Sequence, residues 1–485
     1  MDFEVKRRKG TFKVPRIILI ISTIVMAVLA VVVFAMLSNK GLLSGKYWGL
    51  YAGVTAAVTA LGFIALIRKW STVVMIIITA LISAFMVYTM NFSGSLFNSI
   101  KKITGKTSVS TMQVAVLKSS NIESITELSG ERIAYMAGAD KNEINKVQTD
   151  IDSKVMGVHY DSVSSVTALA DALYNREDTA IILNHSYSDM LTDMDEYKNF
   201  KNDIRIIYSI DVEHDLANTG SSPQSNVDVF TLYISGIDTF GSSMKTSRSD
   251  TNVLAFVNMK TKHILLVNTP RDYYVPLPNS DGEPDKLTHA ALYGVDNSMG
   301  TLSMIYDTDI NYFLRMNFSG FERIVDTIGG IDVDSDYEFT STLNEKYHYN
   351  EGMNHLNGEA ALFFARERHA FLEGDNQRGK DHMAIITAVV KKLTSSPELL
   401  TNYQNIFGSL SDAFQTSMPE SLIYKLVNMQ IDDPSEWKIE SFSVEGEGEM
   451  NTTFSAPNSY LYVTIPDEDS VEEAKEKIQA ILHEG

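Results

Sequence analysis

VLAFVNMKTKHILLV, residues 253–267, holds two unbroken apolar runs on either side of a lysine-flanked polar turn. Neither run alternates with polar residues, so both predict strands covered on two faces. NMKTKH (258–263) joins them as a hairpin, and a third run, VFTLYI (229–234), precedes them. If that run pairs antiparallel with VLAFV, three chain ends share one sheet edge: the end of the first strand, the start of the second and the end of the third. Asp238, the Arg248/Asp250 pair of SRSDTN and Arg271 of TPRDYYVPLP occupy those places.

Downstream, NFSGFERIVDTIGGIDVD (317–334) reads as a helix with its punctuation. Ser319 and Glu322 form a capping box, FERIVDTI makes the helix, and Gly329–Gly330 ends it. In NGEAALFFARERHAFLEGDNQRGKDHMAIITAVVKKL (357–393) a helix begins near Asn357 and Arg366 and Arg368 emerge two apart. Extended backbone there would turn both guanidinium groups the same way. A loop with Asp375 and Arg378 follows, then an amphipathic helix from about residue 379. The last ninety residues predict helices, a strand in WKIESFSV and a closing helix, VEEAKEKIQAILHE.

An isolated surface Asp–Arg pair contributes about 0–1 kcal/mol and commonly means nothing. Here five arginines (Arg248, Arg271, Arg366, Arg368 and Arg378) stand at the ends of predicted elements in an acidic region. The planar guanidinium fork binds phosphate oxygens two at a time, and a cluster suits a pyrophosphate. Two aspartates beside phosphates suit Mg²⁺, which takes a couple of carboxylates, phosphate oxygens and water. The histidines show no close metal-ligand pairing. The residue types point to a site for a diphosphate.

Upstream, three apolar stretches approach the ~20 residues that span a bilayer. They are IILIISTIVMAVLAVVVFAML (17–37), YWGLYAGVTAAVTALGFIALI (47–67) and TVVMIIITALISAFMVYTM (72–90). Lys6, Arg7, Arg8, Lys9, Lys13 and Arg16 precede the first, and Arg68 and Lys69 separate the second and third. The positive-inside rule puts the N-terminus and the Arg68 loop in the cytoplasm, so residues 91–485 lie outside. Residues 1–90 carry a net charge of +8 and the remainder −28. So acidic an exported part is a poor partner for nucleic acid. The chain has no cysteine, which excludes disulfides, thiolate zinc sites and a cysteine nucleophile.

The expected organisation is a cytoplasmic basic arm (1–16), three transmembrane helices (17–90), an accessory α/β domain (106–217) and a C-terminal domain (224–485). In the accessory domain MQVAVL, RIAYM, SKVMGV, TAIIL and IRIIYSI predict strands, and VSSVTALADALYN a helix. Nothing in it carries chemistry, so an accessory or interaction role is the default. LANTGSSPQSN (216–226) predicts a boundary.

The C-terminal part resembles the LytR–CpsA–Psr family. ISGIDTFG, SRSDTN, LLVNTPRDYYVPLP, DKLTHAALYG, NFSGFERIVDTIGGIDV and ARERH…GDNQRGK stand in that family's order over about 224–485. Three spans and an accessory domain are most similar to its streptococcal capsule-locus members. The resemblance implies an α/β/α sandwich with a central mixed sheet, enclosing a tunnel for a polyprenyl chain. Phe313, Phe318, Phe321, Phe363 and Phe364 are tunnel-lining or ordinary core residues. It also implies transfer of a glycopolymer, capsular polysaccharide in that branch, from polyprenyl pyrophosphate to peptidoglycan through a phosphodiester link.

Residue by residue, the resemblance makes Asp238 and Asp250 ligands of Mg²⁺, with Mn²⁺ as an alternative ion. It makes Arg248, Arg271, Arg366, Arg368 and Arg378 pyrophosphate contacts. Asp375 is the candidate to orient or deprotonate the acceptor hydroxyl, with Arg271 and Arg378 beside it in catalysis. After RGK the family commonly shows Asn-Gln, whereas this chain has Asp381 and His382. His382 stands where a head-group contact is expected, or is a helix-surface residue. The rival readings are a lipid-pyrophosphate hydrolase, a regulator acting through the basic arm, and a scaffold binding other capsule-assembly proteins through the accessory domain.

Overall fold

A computed structural model describes residues 13–39, 45–65, 72–103, 107–215, 228–237, 247–396, 399, 406 and 414–485. The expected boundary at 216–226 and Asp238 lie outside the described residues. The chain forms two compact units.

The first unit holds three apolar helices, α1 (Lys13–Asn39), α2 (Gly45–Ala65) and α3 (Thr72–Ile103), nearly all of the last included. Met26, Ala30, Val33 and Leu37 of α1 pack with Met86 of α3 and Tyr51 of α2. The Tyr51 hydroxyl donates to Ala30 O at 2.9 Å. Val31, Leu81 and Phe85 stay exposed, a surface suited to lipid. Val14–Ser38 and Thr72–Asn91 are long and apolar enough to cross a membrane, while the described apolar part of α2, Gly49–Ala65, is shorter. Residues 420–435, expected within the C-terminal domain, group with these helices. They form the helix Glu420–Asp432.

The second unit holds two mixed sheets. The first contains β1 (Thr107–Leu117), β2 (Arg132–Met136), β3 (His159–Val163), β4 (Ala180–Asn184) and β5 (Ile204–Asp215), in the order β3-β2-β4-β1-β5. Helices α4 (Lys141–Asp152), α5 (Val166–Tyr174), α6 (His185–Thr192) and the short α7 (Phe200–Asp203) connect them. One expected strand is corrected. SKVMGV is the turn after α4, and the edge strand is HYDSV, immediately after it. Val155 is buried from a turn, whereas β3 has no fully buried residue, so hydrophobicity pointed to the wrong segment.

The second sheet begins with β6 (Val229–Ile237), β7 (Ser249–Asn258) and β8 (His263–Asn268). A small pair follows, β9 (Tyr274–Pro276) with β10 (Pro284–Lys286), then α8 (Leu287–Ala290) and α9 (Val295–Tyr306). Next come β11 (Tyr312–Asn317), α10 (Phe318–Thr327), β12 (Ile331–Ser335), β13 (Phe339–Thr340), β14 (His348–Tyr349) and β15 (Gly352–Leu356). The chain continues through α11 (Gly358–Arg366), α12 (Asp375–Ser395), β16 (Phe414–Thr416) and β17 (Lys438–Ser443). It closes with the hairpin of β18 (Gly446–Thr453) and β19 (Ala456–Pro466) and a last helix, Glu468–Leu482.

The main sheet runs β16-β11-β6-β7-β8-β17. β6 pairs antiparallel with β7, placing Ile237 opposite Ser249, and β7 pairs antiparallel with β8, placing Val253 opposite Asn268. The expected shared edge therefore exists for Arg248, Asp250 and Arg271. β7 and β8 are buried almost throughout, as apolar runs covered on both faces require.

Two helix starts are corrected. α10 starts at Phe318, and its cap is Asn317, whose side chain accepts from Gly320 N at 2.8 Å, in place of the Ser319/Glu322 box. α12 starts at Asp375, four residues early, because Gly374 adopts φ +53° and turns the chain directly into the helix. Asp375 and Arg378 therefore share its first turn.

Helix α12 lies against the end of β8 with no room to spare. A Cβ on Gly379 would sit 2.1 Å from Asn268 Nδ2. Gly379→Ala should lose about 1–3 kcal/mol of stability through this overpacking, and part of the loss should return when Asn268→Ala is added. Thermal unfolding of the two single variants and the double tests this. A Gly379→Ala protein that melts with the parent would show that the helix does not need this approach.

Candidate functional site

The site is built from four chain ends: the start of β7, the turn after β8, the end of α11 and the start of α12. Arg271 is its centre. Its Nη1 donates to Asp250 Oδ1 at 2.7 Å, its Nε lies 3.6 Å from Asp272 Oδ2, and Asp272 Oδ1 meets Lys286 Nζ at 2.5 Å. Asp250 and Asp272 thus clamp the guanidinium from both sides, and Lys286 balances the outer acid.

Local structure fixes each member. Thr288 N donates to Arg271 O and Leu287 N to Tyr273 O, tying the turn after β8 to α8. The segment carrying Lys286 is anchored by buried Asp285, which pairs with His289 Nδ1 at 2.7 Å and accepts from Ser455 N at 2.9 Å. Arg378 donates to Asp375 across one turn of α12. Arg248 donates to Asp193, at the end of α6.

Electrostatics follow from this crowding. Burial works to raise the Asp250 carboxyl, but Arg271, Arg378 and Arg248 outweigh it and hold it below the usual range. Asp272 is likewise held low against burial, by Lys286 and Arg271. Asp375 goes the other way. Burial raises it, Asp272 and Asp250 add to the rise, and Arg378 and Arg271 only partly offset them. One carboxylate is held ionised and its neighbour is biased toward the neutral form, a division suited to proton transfer.

Arg366 and Arg368 flank Glu367, which is fully buried. Glu367 Oε1 accepts from the backbone N–H groups of Arg368, His369 and Ala370, and Oε2 accepts from Thr342 N. Burial raises the Glu367 carboxyl, but the Thr342 hydroxyl and N–H, the Ala370 N–H and the Ser341 hydroxyl pull it below its ordinary value. The acid thereby pins the turn that carries both arginines. Glu367 is extended, as the alternation required. Arg366 stacks over the Phe318 ring at 4.4 Å, and Arg368 Nε donates to His369 Nε2 at 3.2 Å. These contacts leave both guanidinium groups outside the ion-pair chain of Arg271.

His382 is buried between α12, α11 and β7. Burial, then Arg378, pushes it down to about 4, so the ring is neutral. Its Nε2 donates to Ala365 O at 2.8 Å, which leaves Nδ1 to accept from Thr251 Oγ1 at 3.3 Å. In that arrangement its N–H is committed to the chain itself. Of the aromatics, Phe313 belongs to the core of the main sheet. Phe364 joins a cluster with Phe339 and Tyr349, and Phe363 stacks on Tyr347 at 4.8 Å.

Asp272, Lys286 and Glu367 escaped the sequence reading. Asp272 and Glu367 each adjoin a chosen arginine, but only their burial distinguishes them from ordinary charges.

Among the described residues no three acidic or histidine side chains gather as a metal-binding group. Asp250 supplies one carboxylate, with Oδ1 taken by Arg271 and three guanidinium groups acting on it. That set cannot hold Mg²⁺ alone.

The LytR_cpsA_psr family model covers residues 192–480, more than half of the chain, and the chain belongs to this family. A DNA polymerase processivity factor model also matches residues 68–183, a range running from within the apolar helices into β4, which corresponds to no folded unit here. The chain is similar to a polyisoprenyl-teichoic acid–peptidoglycan teichoic acid transferase, TagU, of Bacillus cereus. The two are 32% identical over 203 residues, covering 42% of this chain and 64% of the relative. A TagU of Enterococcus faecalis is 33% identical over 196 residues, covering 40% and 63%. The chain thus spans slightly less than two thirds of these relatives' length. Among solved structures, B. subtilis TagV aligns at 24% identity with a TM-score of 0.45, over 53% of this chain and 97% of that one. TagT with bound octaprenyl pyrophosphate lipid aligns at 24% identity and 0.40, over 54% and 93%.

The α12 segment also sets a pH dependence. Asp381 is 3% exposed, its Oδ1 accepts from Gln377 Nε2 at 3.0 Å and its Oδ2 has no partner. Burial pushes its carboxyl up to about 7. A raised acid stabilises the fold fully below the unfolded value, about 4, and that contribution is lost as pH rises through about 7. Asp381→Asn, which removes the titrating carboxyl, should flatten this slope. Above pH 7 the variant should gain on the order of a few kcal/mol, read as melting temperature against pH from 5 to 8. Parallel profiles for parent and variant would refute the assignment.

Proposed function

We propose that this protein is a membrane-anchored phosphotransferase whose C-terminal domain faces out of the cell. It moves a glycopolymer from polyprenyl pyrophosphate to peptidoglycan and joins them by a phosphodiester. Three membrane spans with a cytoplasmic N-terminus give this orientation, and capsular polysaccharide is the proposed polymer. The observation that carries the reading is the convergence of Arg248, Arg271 and Arg378 on Asp250, with Asp375 in the same field. The names of the similar transferases support it.

In this reading Arg271 and Arg378 bind the diphosphate, Arg248 adds a third guanidinium, and Arg366 and Arg368 extend the surface along the glycan or lipid side. The acceptor hydroxyl oxygen attacks the phosphorus that bears the glycan. The bond from that phosphorus to the bridging oxygen breaks, and polyprenyl phosphate leaves with the bridging oxygen. Asp375 receives the hydroxyl proton. Its raised affinity for a proton suits a base that must hold it while the bond forms. Asp272 and Lys286 keep Arg271 aimed, so the charge on the departing phosphate meets a fixed donor. Asp250 and Asp238 would hold Mg²⁺, which supplies further neutralisation of the phosphate charge.

Asp250→Asn keeps the shape and removes one charge, so folding should persist. Transfer should fall by about 10²-fold or more. Arg271→Ala leaves Asp250 and Asp272 without their shared partner and should lose stability as well. The assay gives the detergent-solubilised full chain a synthetic polyprenyl pyrophosphate-linked glycan and peptidoglycan. The readout is wall-linked phosphodiester product, before and after chelation and Mg²⁺ return. Normal linkage by Asp250→Asn would end the proposal, and free glycan with no linked product would replace transfer by hydrolysis. For the orientation, a reporter fused after Met90 should be active only outside the cell.

A further inference from the structure

Arg248 reaches out of its own domain. Its guanidinium donates to Asp193, the residue that closes α6 in the N-terminal sheet domain. The Arg248 side chain is 15% exposed and that of Asp193 56%. A carboxylate at the C-terminal end of a helix faces the negative end of the macrodipole, so α6 gains nothing from it. The arginine is the partner that accounts for an acid in this place.

The contact does not depend on the ion pair alone. Leu292 and Ala456 of the C-terminal domain belong to the apolar core of the N-terminal sheet. Ser459 Oγ donates to Glu196 Oε2 at 3.2 Å, three residues beyond Asp193. Buried packing therefore sets where α6 ends, and α6 sets the carboxylate on Arg248.

A carboxylate and a phosphate compete for the same guanidinium donors. We propose that Asp193 is a built-in competitor for the diphosphate at Arg248, so that a polyprenyl diphosphate must displace it to engage this arginine. The inference rests on the proposed function. It makes the N-terminal domain a part of the substrate site, lowering affinity until the carboxylate is released. By linkage, diphosphate binding in turn loosens the end of α6. An exposed pair contributes about 0–1 kcal/mol, which sets the competition at up to roughly fivefold in affinity.

The test is titration of the detergent-solubilised full chain with farnesyl pyrophosphate, using Asp193→Asn, Arg248→Ala, the double variant and Arg271→Ala. Asp193→Asn should tighten binding about two- to fivefold, and the gain should vanish in the Arg248→Ala background. Amide exchange over residues 190–194 of the parent should quicken when the ligand is added. Unchanged or weaker binding by Asp193→Asn overturns the competitor, as does a gain that survives Arg248→Ala. If Arg248→Ala and Arg271→Ala both bind as the parent does, the diphosphate reading itself fails. If both weaken binding while Asp193→Asn gains nothing, only the competitor fails.

Discussion

The clamp on Arg271 is the constraint from which the site follows. A half-buried guanidinium is costly unless its charge is met, and here Asp250 accepts from Nη1 while Asp272 stands 3.6 Å from Nε. Burial alone would lower the Arg271 pKa, yet Asp250, Asp272 and Asp375 raise it above its ordinary value. The basic groups in turn hold Asp250 and Asp272 ionised against burial, while burial, joined by Asp272 and Asp250, presses Asp375 toward its neutral form. Removing one member unbalances all the others.

Fixed charge requires a fixed frame, and two kinds of contact supply it. Close approach of Gly379 to the Asn268 side chain sets α12 against the end of β8, bringing Asp375 and Arg378 to the strand ends. Buried polar tethers do the rest. Glu367 gathers the N–H groups after α11, and His382 links Ala365 to Thr251. Neither tether needs to touch a substrate. Each determines where an arginine-bearing turn can stand.

The strands β6, β7 and β8 were legible because they are continuous apolar runs and the 258–263 turn between the last two is short. The antiparallel pairing of β6 with β7, on which the shared edge of Arg248, Asp250 and Arg271 depended, was only a condition in the sequence, and the register of the structure meets it. Helix starts were less legible. Asn317 caps α10 where a Ser319/Glu322 box was expected, since both patterns are compatible with the same chain. The edge strand HYDSV was hidden because an edge exposes most of its side chains.

The sequence by itself determined the apolar helices, the hairpin of β7 and β8 and the residue types gathered at its edge. These depend on local periodicity and on short connections, which are properties of neighbouring residues. Only the tertiary structure decided which charges are neutralised by the chain and which are free for a ligand. Asp272 differs from any other aspartate only by its burial against Lys286 and Arg271. Asp193, fifty-five positions before Arg248, meets it only because the two sheets of one compact unit pack together. Such pairings are set by through-space distance and by the loss of water, and neither quantity is written in the order of residues.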